Sequence, residues 1–310
     1  MNLPGSVSIV EVGLRDGLQD EATIVPTCDK ARLCRDLVAA GVRYIEATSF
    51  VRPELVPQLA DADVLAGLVP AAQDVTYAAL VPNLKGAERA LGSGFRTWHL
   101  LVSASETHNR VNINRTVDQS LAELARVAAL AGEAGISLAG YVGTAFGCPF
   151  EGHVPLEQVR RIVDSYLVMG VYTITLADTT GMANPRQVYD ATVALRAAYP
   201  SVTFGMHFHN TRDLGLANVL AALQAGVTRF DASLGGIGGC PFAPSATGNI
   251  ATEDLVHMLS EMGIETGIDV DALIGASRRL ESLLGHELPA RVPKAGKAYD
   301  LHDPGEIMSP

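Results

Sequence analysis

Short apolar runs rich in Val, Ile, Thr and aromatic residues recur along the whole chain, and eight of them have the length of a strand. Apolar residues on both faces are typical of strands in a parallel sheet that is covered on each side. The runs are residues 7–14, 42–50, 75–82, 97–104, 137–146, 171–178, 202–210 and 228–236.

The segments between these runs carry apolar residues three or four positions apart, which indicates amphipathic helices. In residues 29–41, Leu33 and Leu37 share one face, and Gly41 stands where a helix ends. Residues 121–135, 156–170, 216–226, 251–263 and 269–285 repeat this pattern. Eight strand–helix units predict an α/β fold, a closed (β/α)8 TIM barrel with appended C-terminal helices. An open doubly wound sheet is the alternative, but no G-x-G-x-x-G follows the first run.

A chain of 310 residues exceeds the usual size of one core, and a TIM barrel of about 250 residues is the main exception. We therefore predict one domain over residues 1–310. The barrel covers about 7–263, and a helical extension and tail cover about 264–310.

Composition narrows the class of protein. The chain is 48% hydrophobic and 18% charged, which is typical of a globular protein, and its net charge of −11 disfavours a nucleic-acid binder. It has neither a 20-residue uncharged span nor a signal-peptide pattern, so we expect no membrane partner and a cytoplasmic location. Four cysteines without C-x-x-C spacing predict neither a disulfide framework nor a structural zinc site.

Active sites of TIM barrels lie at the carboxyl ends of the strands. The polar residues expected there, in chain order, are Arg15, Asp16, Glu46, Tyr141, Asp178, His207, His209, Cys240 and Asn249. Residues i and i+2 of a strand share a face, so His207 and His209 form either a metal clamp or a chance pair on a solvated edge. Combined with a carboxylate and an amide oxygen, they suit Mg²⁺ or Mn²⁺ better than a structural Zn²⁺.

Most candidates also have a structural interpretation. Asp16 and Asp178 could cap the segments that follow them, and Asn249 could do the same in its loop. Glu46 inside an apolar run could form a buried ion pair with an arginine, and Tyr141 could be a core residue. Cys240 lies in a loop rich in Gly and Pro, where its thiol is either an acid–base or nucleophilic group or incidental.

Six stretches resemble the 3-hydroxy-3-methylglutaryl-CoA lyase family, which belongs to the metal-dependent TIM-barrel lyases and Claisen-type synthases. They are "VEVGLRDGLQDE" (10–21), "IEATSFV" (45–51), "GCPFEG" (147–152), "DTTGMANP" (178–185), "HFHNTRDLGLAN" (207–218) and "GGIGGCPFAPSATGNIATEDLVHML" (235–259). The last stretch is the most specific, because it resembles the lyase loop around the catalytic cysteine. Related isopropylmalate and homocitrate synthases do not usually carry that loop.

The resemblance implies retro-Claisen cleavage of 3-hydroxy-3-methylglutaryl-CoA to acetyl-CoA and acetoacetate, as in leucine degradation and ketone-body metabolism. It implies that Mg²⁺ or Mn²⁺ is bound by Asp16, His207, His209 and Asn249. Arg15 would stabilise the enolate oxygen, and Cys240 would protonate the enolate carbon. Either His207 or Asp16 would take the hydroxyl proton.

The resemblance further implies that Glu46 supports the catalytic site. It assigns Arg15, Gln19, Tyr141 and Asp178 to the binding of an acyl-CoA substrate, and it implies a homodimer.

Two departures from the family leave the substrate open. Ala22 and Ala139 stand where many family members have a cation. The alternatives are a lyase of a related acyl-CoA, such as citramalyl-CoA or a longer branched substrate, a Claisen-type synthase, and a non-catalytic scaffold. The Cys240 loop favours a lyase over a synthase, and the full set of metal ligands argues against a scaffold.

Overall fold

A computed structural model describes residues 3–239 and 248–301. Eight parallel strands form a closed barrel in which β1 pairs with both β2 and β8, so the TIM-barrel prediction is confirmed. The strands are β1 Ser8–Glu11, β2 Tyr44–Ser49, β3 Thr76–Leu80, β4 Thr97–Ser103, β5 Ser137–Gly143, β6 Thr173–Asp178, β7 Thr203–Phe208 and β8 Arg229–Ala232. Each lies within one of the eight predicted runs.

Helices connect the strands and cover the barrel. They are α1 Thr27–Ala39, α2 Ala62–Ala66, α3 Leu84–Leu91, α4 Glu106–Ile113, α5 Val117–Glu133, α6 Leu156–Val168, α7 Pro185–Ala198, α8 Gly215–Gln224, α9 Thr252–Glu261, α10 Val270–Leu284 and α11 Val292–Ala295. Six of them match predicted segments. The predicted segments do not include α7, in which the Gln187 amide donates to the capping side chain of Asn184 and a proline stands at the first position.

The C-terminal helices belong to the same hydrophobic core as the barrel. Leu273 and Leu280 of α10 are buried in it, and Arg279 forms a 2.7 Å ion pair with Asp36 of α1. Beyond α10, the carboxylate of Asp254 accepts hydrogen bonds from the amides of Arg291 and Val292 at the start of α11. The extension is therefore packed against the barrel, while the single-domain boundaries stay a prediction.

One expected position is wrong in detail. Glu46 is the third residue of β2 rather than its end, and a β-bulge between Glu46 and Thr48 follows it. A bulge changes the direction of the neighbouring side chains, so a residue inside the strand can still reach the site.

None of the described helices combines the length and the apolar character needed to cross a bilayer.

Acid is expected to destabilise the fold through His108 of α4. Burial lowers the pKa of His108 to about 4, and Glu151 opposes this only in part. The unfolded chain therefore takes up a proton near pH 6.5, while the folded protein does not do so until about pH 4. This contribution to stability is complete above pH 6.5 and is lost as the pH falls towards 4. Between pH 7 and pH 5, the free energy of unfolding measured with urea should change less favourably in wild type than in His108→Phe, by about 2 kcal/mol. The same pH dependence in that variant would contradict the assignment.

Candidate active site

A single π-helical turn, Gly13–Gly17, follows β1 and carries Arg15 and Asp16. The buried carboxylate of Glu11 holds this turn by accepting hydrogen bonds from the amides of Gly13 and Leu234, at 2.7 and 2.8 Å. Burial raises the pKa of Glu11 to about 7, although these donors oppose the rise. Glu11 thereby fixes the first candidate residues against the loop that follows β8.

Three potential metal ligands converge above the barrel. The Nε2 atoms of His207 and His209 are 3.1 Å apart, and they lie 3.7 and 3.8 Å from Oδ2 of Asp16. Both imidazoles are almost fully buried, so the chance-pair interpretation on a solvated edge is wrong. The two histidines share one face at the carboxyl end of β7, as the i, i+2 spacing predicts.

Asp231 of β8 orients one of these imidazoles. Its Oδ2 lies 3.2 Å from Nδ1 of His207; a carboxylate only accepts, so Nδ1 carries the hydrogen, and Nε2 faces Asp16. Burial lowers the pKa of His207, but the hydrogen bond to Asp231 and the charge of Asp16 outweigh it, so the pKa is raised. Such a carboxylate–histidine pair is typical of metal sites.

Arg15 bridges two carboxylates. Its Nε is 2.6 Å from Oε2 of Glu46, and one terminal nitrogen is 2.5 Å from Oδ1 of Asp16. Burial alone would raise the pKa of Asp16, but the Arg15 guanidinium and the two imidazoles hold it well below its usual value. For Glu46, burial is likewise outweighed by Arg15 and His99, so its pKa is lowered. Both groups are therefore carboxylates at neutral pH.

The other predicted residues lie at different distances from this cluster. Asn249 is adjacent, and its Nδ2 lies 2.9 Å from Oδ2 of Asp16 and 3.2 Å from the carbonyl of Ile237. Asp178 accepts hydrogen bonds from the amides of Met182 and Ala183, at 2.7 and 3.1 Å, and so caps the loop after β6. Burial raises its pKa.

Tyr141 is buried in the barrel, with its ring centroid 4.9 Å from that of His99. Within the part of the chain that the structure describes, its hydroxyl has no hydrogen-bond partner. Gln19 is half-buried in the 3₁₀ turn Leu18–Asp20, which continues from the π turn. Cys240 lies outside the described residues.

The residues present fit a divalent cation. Asp16, His207 and His209 offer one ligand atom each within 4.8 Å of one another. Arg15 pairs with Oδ1 of Asp16, while Oδ2 of Asp16 faces the two imidazoles, so this carboxylate keeps one oxygen that can bind a cation. Two nitrogens 3.1 Å apart also leave room for at most one hydrogen between them, whereas a metal ion would bind both lone pairs.

Sequence reasoning missed three residues that shape the site, namely Glu11, His99 and Asp231. Each is a titratable residue inside an apolar run. Burial of such a group is costly unless it is paired, as for Glu46, so all three were recognisable as candidates from the sequence.

Replacing Asp231 by asparagine should weaken metal binding. The amide can no longer hold a protonated Nδ1 as strongly, so His207 Nε2 becomes a poorer ligand. The expected rise in the Kd for Mn²⁺ is about 10- to 100-fold, and isothermal titration calorimetry measures it. Asp213→Asn, an exposed residue of the loop after β7, is the matched control. Unchanged affinity in Asp231→Asn would contradict the orienting role.

The barrel and the carboxylate–imidazole cluster at its carboxyl end place this protein in the class of TIM-barrel proteins with a candidate metal centre. The HMGL-like family model matches residues 6–280. The chain is 45% identical over 291 residues to the hydroxymethylglutaryl-CoA lyase YngG of Bacillus subtilis, covering 94% of this chain and 97% of that one. It is 46% identical to the (R)-citramalyl-CoA lyase of Chloroflexus aurantiacus, covering 95% and 96%.

Among solved structures, an HMG-CoA lyase from Acinetobacter baumannii in complex with coenzyme A and 3-methylmalate superposes with a TM-score of 0.92 at 47% identity. The match covers 96% of this chain and 98% of that one. The chain belongs to the HMGL-like family, and the family prediction is confirmed.

Proposed function

We propose that the protein cleaves 3-hydroxy-3-methylglutaryl-CoA into acetyl-CoA and acetoacetate with the help of Mg²⁺ or Mn²⁺. The prediction of a carbon–carbon lyase is confirmed by the family match and by the relatives named above. The observation that carries the proposal is the convergence of Asp16, His207 and His209 beside Arg15 at the carboxyl end of the barrel.

Each side chain has a role in this proposal. Asp16, His207 and His209, with Asn249, would hold a divalent ion, which when bound polarises the substrate hydroxyl and lowers its pKa. Asp16 or His207 then accepts the hydroxyl proton. The bond between C2 and C3 breaks, and its electron pair moves onto the thioester as an enolate.

Arg15 is suited to stabilise that enolate. Glu46 and Asp16 fix two of its five N–H donors in place, and the remaining donors can face the thioester oxygen. A guanidinium that is positioned before the reaction needs no reorganisation when negative charge develops. Cys240 would then protonate the enolate carbon, while Gln19, Tyr141 and Asp178 would line the substrate site.

A second substrate, citramalyl-CoA, is favoured by one specific observation. Ala139 is buried on β5, where the resemblance leads one to expect a cation, and a citramalyl-CoA lyase is among the relatives at 46% identity. Both substrates require the same bond cleavage, so the metal cluster does not discriminate between them. The two substrates differ in the substituents at C3, so the residues that surround C3 would decide between them.

Values of kcat/KM for the two acyl-CoA substrates, measured by coupled detection of acetyl-CoA, test this proposal. We expect kcat/KM for 3-hydroxy-3-methylglutaryl-CoA to be the higher by at least about tenfold, a difference of about 1.4 kcal/mol. The opposite order would assign the site to citramalyl-CoA. Cleavage of neither substrate by the metal-loaded protein would reject both.

We also propose a homodimer, as the resemblance implies, and the cytoplasmic location that the sequence analysis expects. Sedimentation velocity at micromolar concentration tests the assembly, and a mass near one chain of 32.6 kDa would reject it.

Acetyl-CoA release with Mg²⁺ and Mn²⁺ in parallel identifies the preferred ion.

A further inference from the structure

His99 of β4 is a fully buried histidine for which the proposed chemistry has no use. Its Nδ1 lies 2.7 Å from Oε1 of Glu46, and its Nε2 lies 3.0 Å from the hydroxyl of Tyr44. Glu46 uses its other oxygen, Oε2, to hold Nε of Arg15 at 2.6 Å. A continuous chain of hydrogen bonds therefore leads from Tyr44 through His99 and Glu46 to Arg15.

This chain of hydrogen bonds runs through the interior of the barrel. Tyr44 lies on β2 and His99 on β4, and β3 separates these two strands. Tyr44 also stacks against the guanidinium of Arg229 on β8, with Cζ 4.2 Å from the ring centroid. Strands two apart are roughly 10 Å from one another, so long side chains that meet in this way fill the barrel below the site.

Ala139 provides the space for this arrangement. It is the Cα partner of His99 in the register of β4 and β5, and the ring of Tyr141, two residues later, packs 4.9 Å from the imidazole. A long side chain at position 139 would compete with the imidazole for the volume next to Glu46. The small residue on β5 and the histidine on β4 thus form a complementary pair.

The hydrogen-bond roles follow from the groups involved. A carboxylate can only accept, so Nδ1 of His99 carries the hydrogen that Glu46 accepts. In the neutral imidazole Nε2 is then an acceptor, and it receives the hydroxyl hydrogen of Tyr44. The two hydrogen bonds fix the imidazole from both sides. They hold Glu46 in the one orientation in which its other oxygen accepts from Arg15.

We propose that His99, held by Tyr44, is a positioning residue that fixes Glu46 and through it the guanidinium of Arg15 against the reacting thioester. The inference rests on the proposed function for its kinetic consequence, but the geometry it assigns to Arg15 is measurable without turnover. His99 touches neither the metal ligands nor the substrate in this assignment; it acts through Glu46.

Two variants of His99 separate hydrogen bonding from packing. His99→Leu keeps an apolar side chain of similar size without a donor, and we expect kcat to fall by about 10- to 100-fold. KM should change by less than about threefold, because the Arg15 contact strengthens only as negative charge develops on the thioester. His99→Asn restores a donor near the position of Nδ1 and should recover kcat to within about fivefold of wild type.

Tyr44→Phe is the second variant, and it retains the stacked ring while removing the bond to Nε2. We expect a smaller fall in kcat that is again without a matching change in KM. His257→Leu, on the outer helix α9, is the matched control for loss of a histidine. Thermal unfolding followed by circular dichroism verifies that each variant is folded, and Tyr44→Phe keeps the proposal testable if His99→Leu does not fold.

The direct readout is the Nε–H resonance of Arg15 in the Mg²⁺-loaded, substrate-free protein labelled with ¹⁵N-arginine and assigned by its loss in Arg15→Lys. In wild type and His99→Asn, the Nε–H signal of Arg15 should lie downfield, and its hydrogen should exchange slowly with water. In His99→Leu the signal should shift, and the hydrogen should exchange faster. The proposal is overturned if His99→Leu leaves this signal and kcat unchanged, or if His99→Asn is as impaired as His99→Leu. If wild-type protein releases no acetyl-CoA, the proposed function fails, while the resonance still decides the role of His99.

Discussion

Replacing His207 by alanine is expected to abolish metal-dependent cleavage. The change removes one of three converging ligands and also leaves Asp231 buried without its partner. Because a bound divalent ion supplies several kcal/mol of charge stabilisation, kcat/KM should fall by at least about 1,000-fold. The Kd for Mn²⁺, measured by calorimetry or by the paramagnetic effect on water relaxation, should rise by more than about 100-fold.

His257→Ala is the matched control, since His257 lies on α9 and contacts Tyr299 rather than the cluster. It should retain activity and metal affinity within about twofold, as is usual for substitutions outside a functional site. If His207→Ala bound Mn²⁺ as tightly as wild type, the ion would lie elsewhere and the assignment of the cluster would be wrong.

The second large effect is expected for Arg15→Lys, which keeps the charge but loses the planar guanidinium. A lysine ammonium cannot form the hydrogen bond at the Nε position to Glu46 and also reach Asp16 and the thioester. The loss of one positioned donor to a developing oxyanion lowers kcat by about 100- to 1,000-fold. Steady-state kinetics of acetyl-CoA release measure this.

The affinity for Mn²⁺ distinguishes the effect of Arg15→Lys from that of His207→Ala. Arg15 is no metal ligand in this account, so the Kd for Mn²⁺ in Arg15→Lys should stay within about threefold of wild type. Arg43→Lys is the matched control, because Arg43 is an exposed residue that precedes β2 and pairs with Asp74. Arg15→Lys with wild-type kcat would remove the guanidinium from the mechanism.

The sequence predicts the barrel well because the pattern of buried strands is local. Every strand lies within a largely apolar run, and Gly41 or an equivalent glycine ends many of the helices, so short windows suffice to find the eight units. The residues of the metal cluster could also be predicted from the sequence, since the carboxyl ends of β1 and β7 lie at the same end of the barrel.

Side-chain partners were not predictable in the same way. Glu46 could be assigned either to the site or to an ion pair, and the structure shows that it forms the ion pair with Arg15 at the site itself. The bonds from His99 and Asp231 depend on the register and tilt of strands far apart in sequence. No local pattern encodes which inward-facing groups meet in the middle of a closed barrel.

We propose a metal-dependent lyase whose chemistry occurs at Asp16, His207 and His209. The most direct test is the release of acetyl-CoA from 3-hydroxy-3-methylglutaryl-CoA by chelator-treated protein, with Mg²⁺ or Mn²⁺ then added back. We expect no turnover without the ion and saturable recovery with it. Full turnover in the presence of excess chelator, or no turnover of any 3-hydroxyacyl-CoA after the ion is bound, would contradict it.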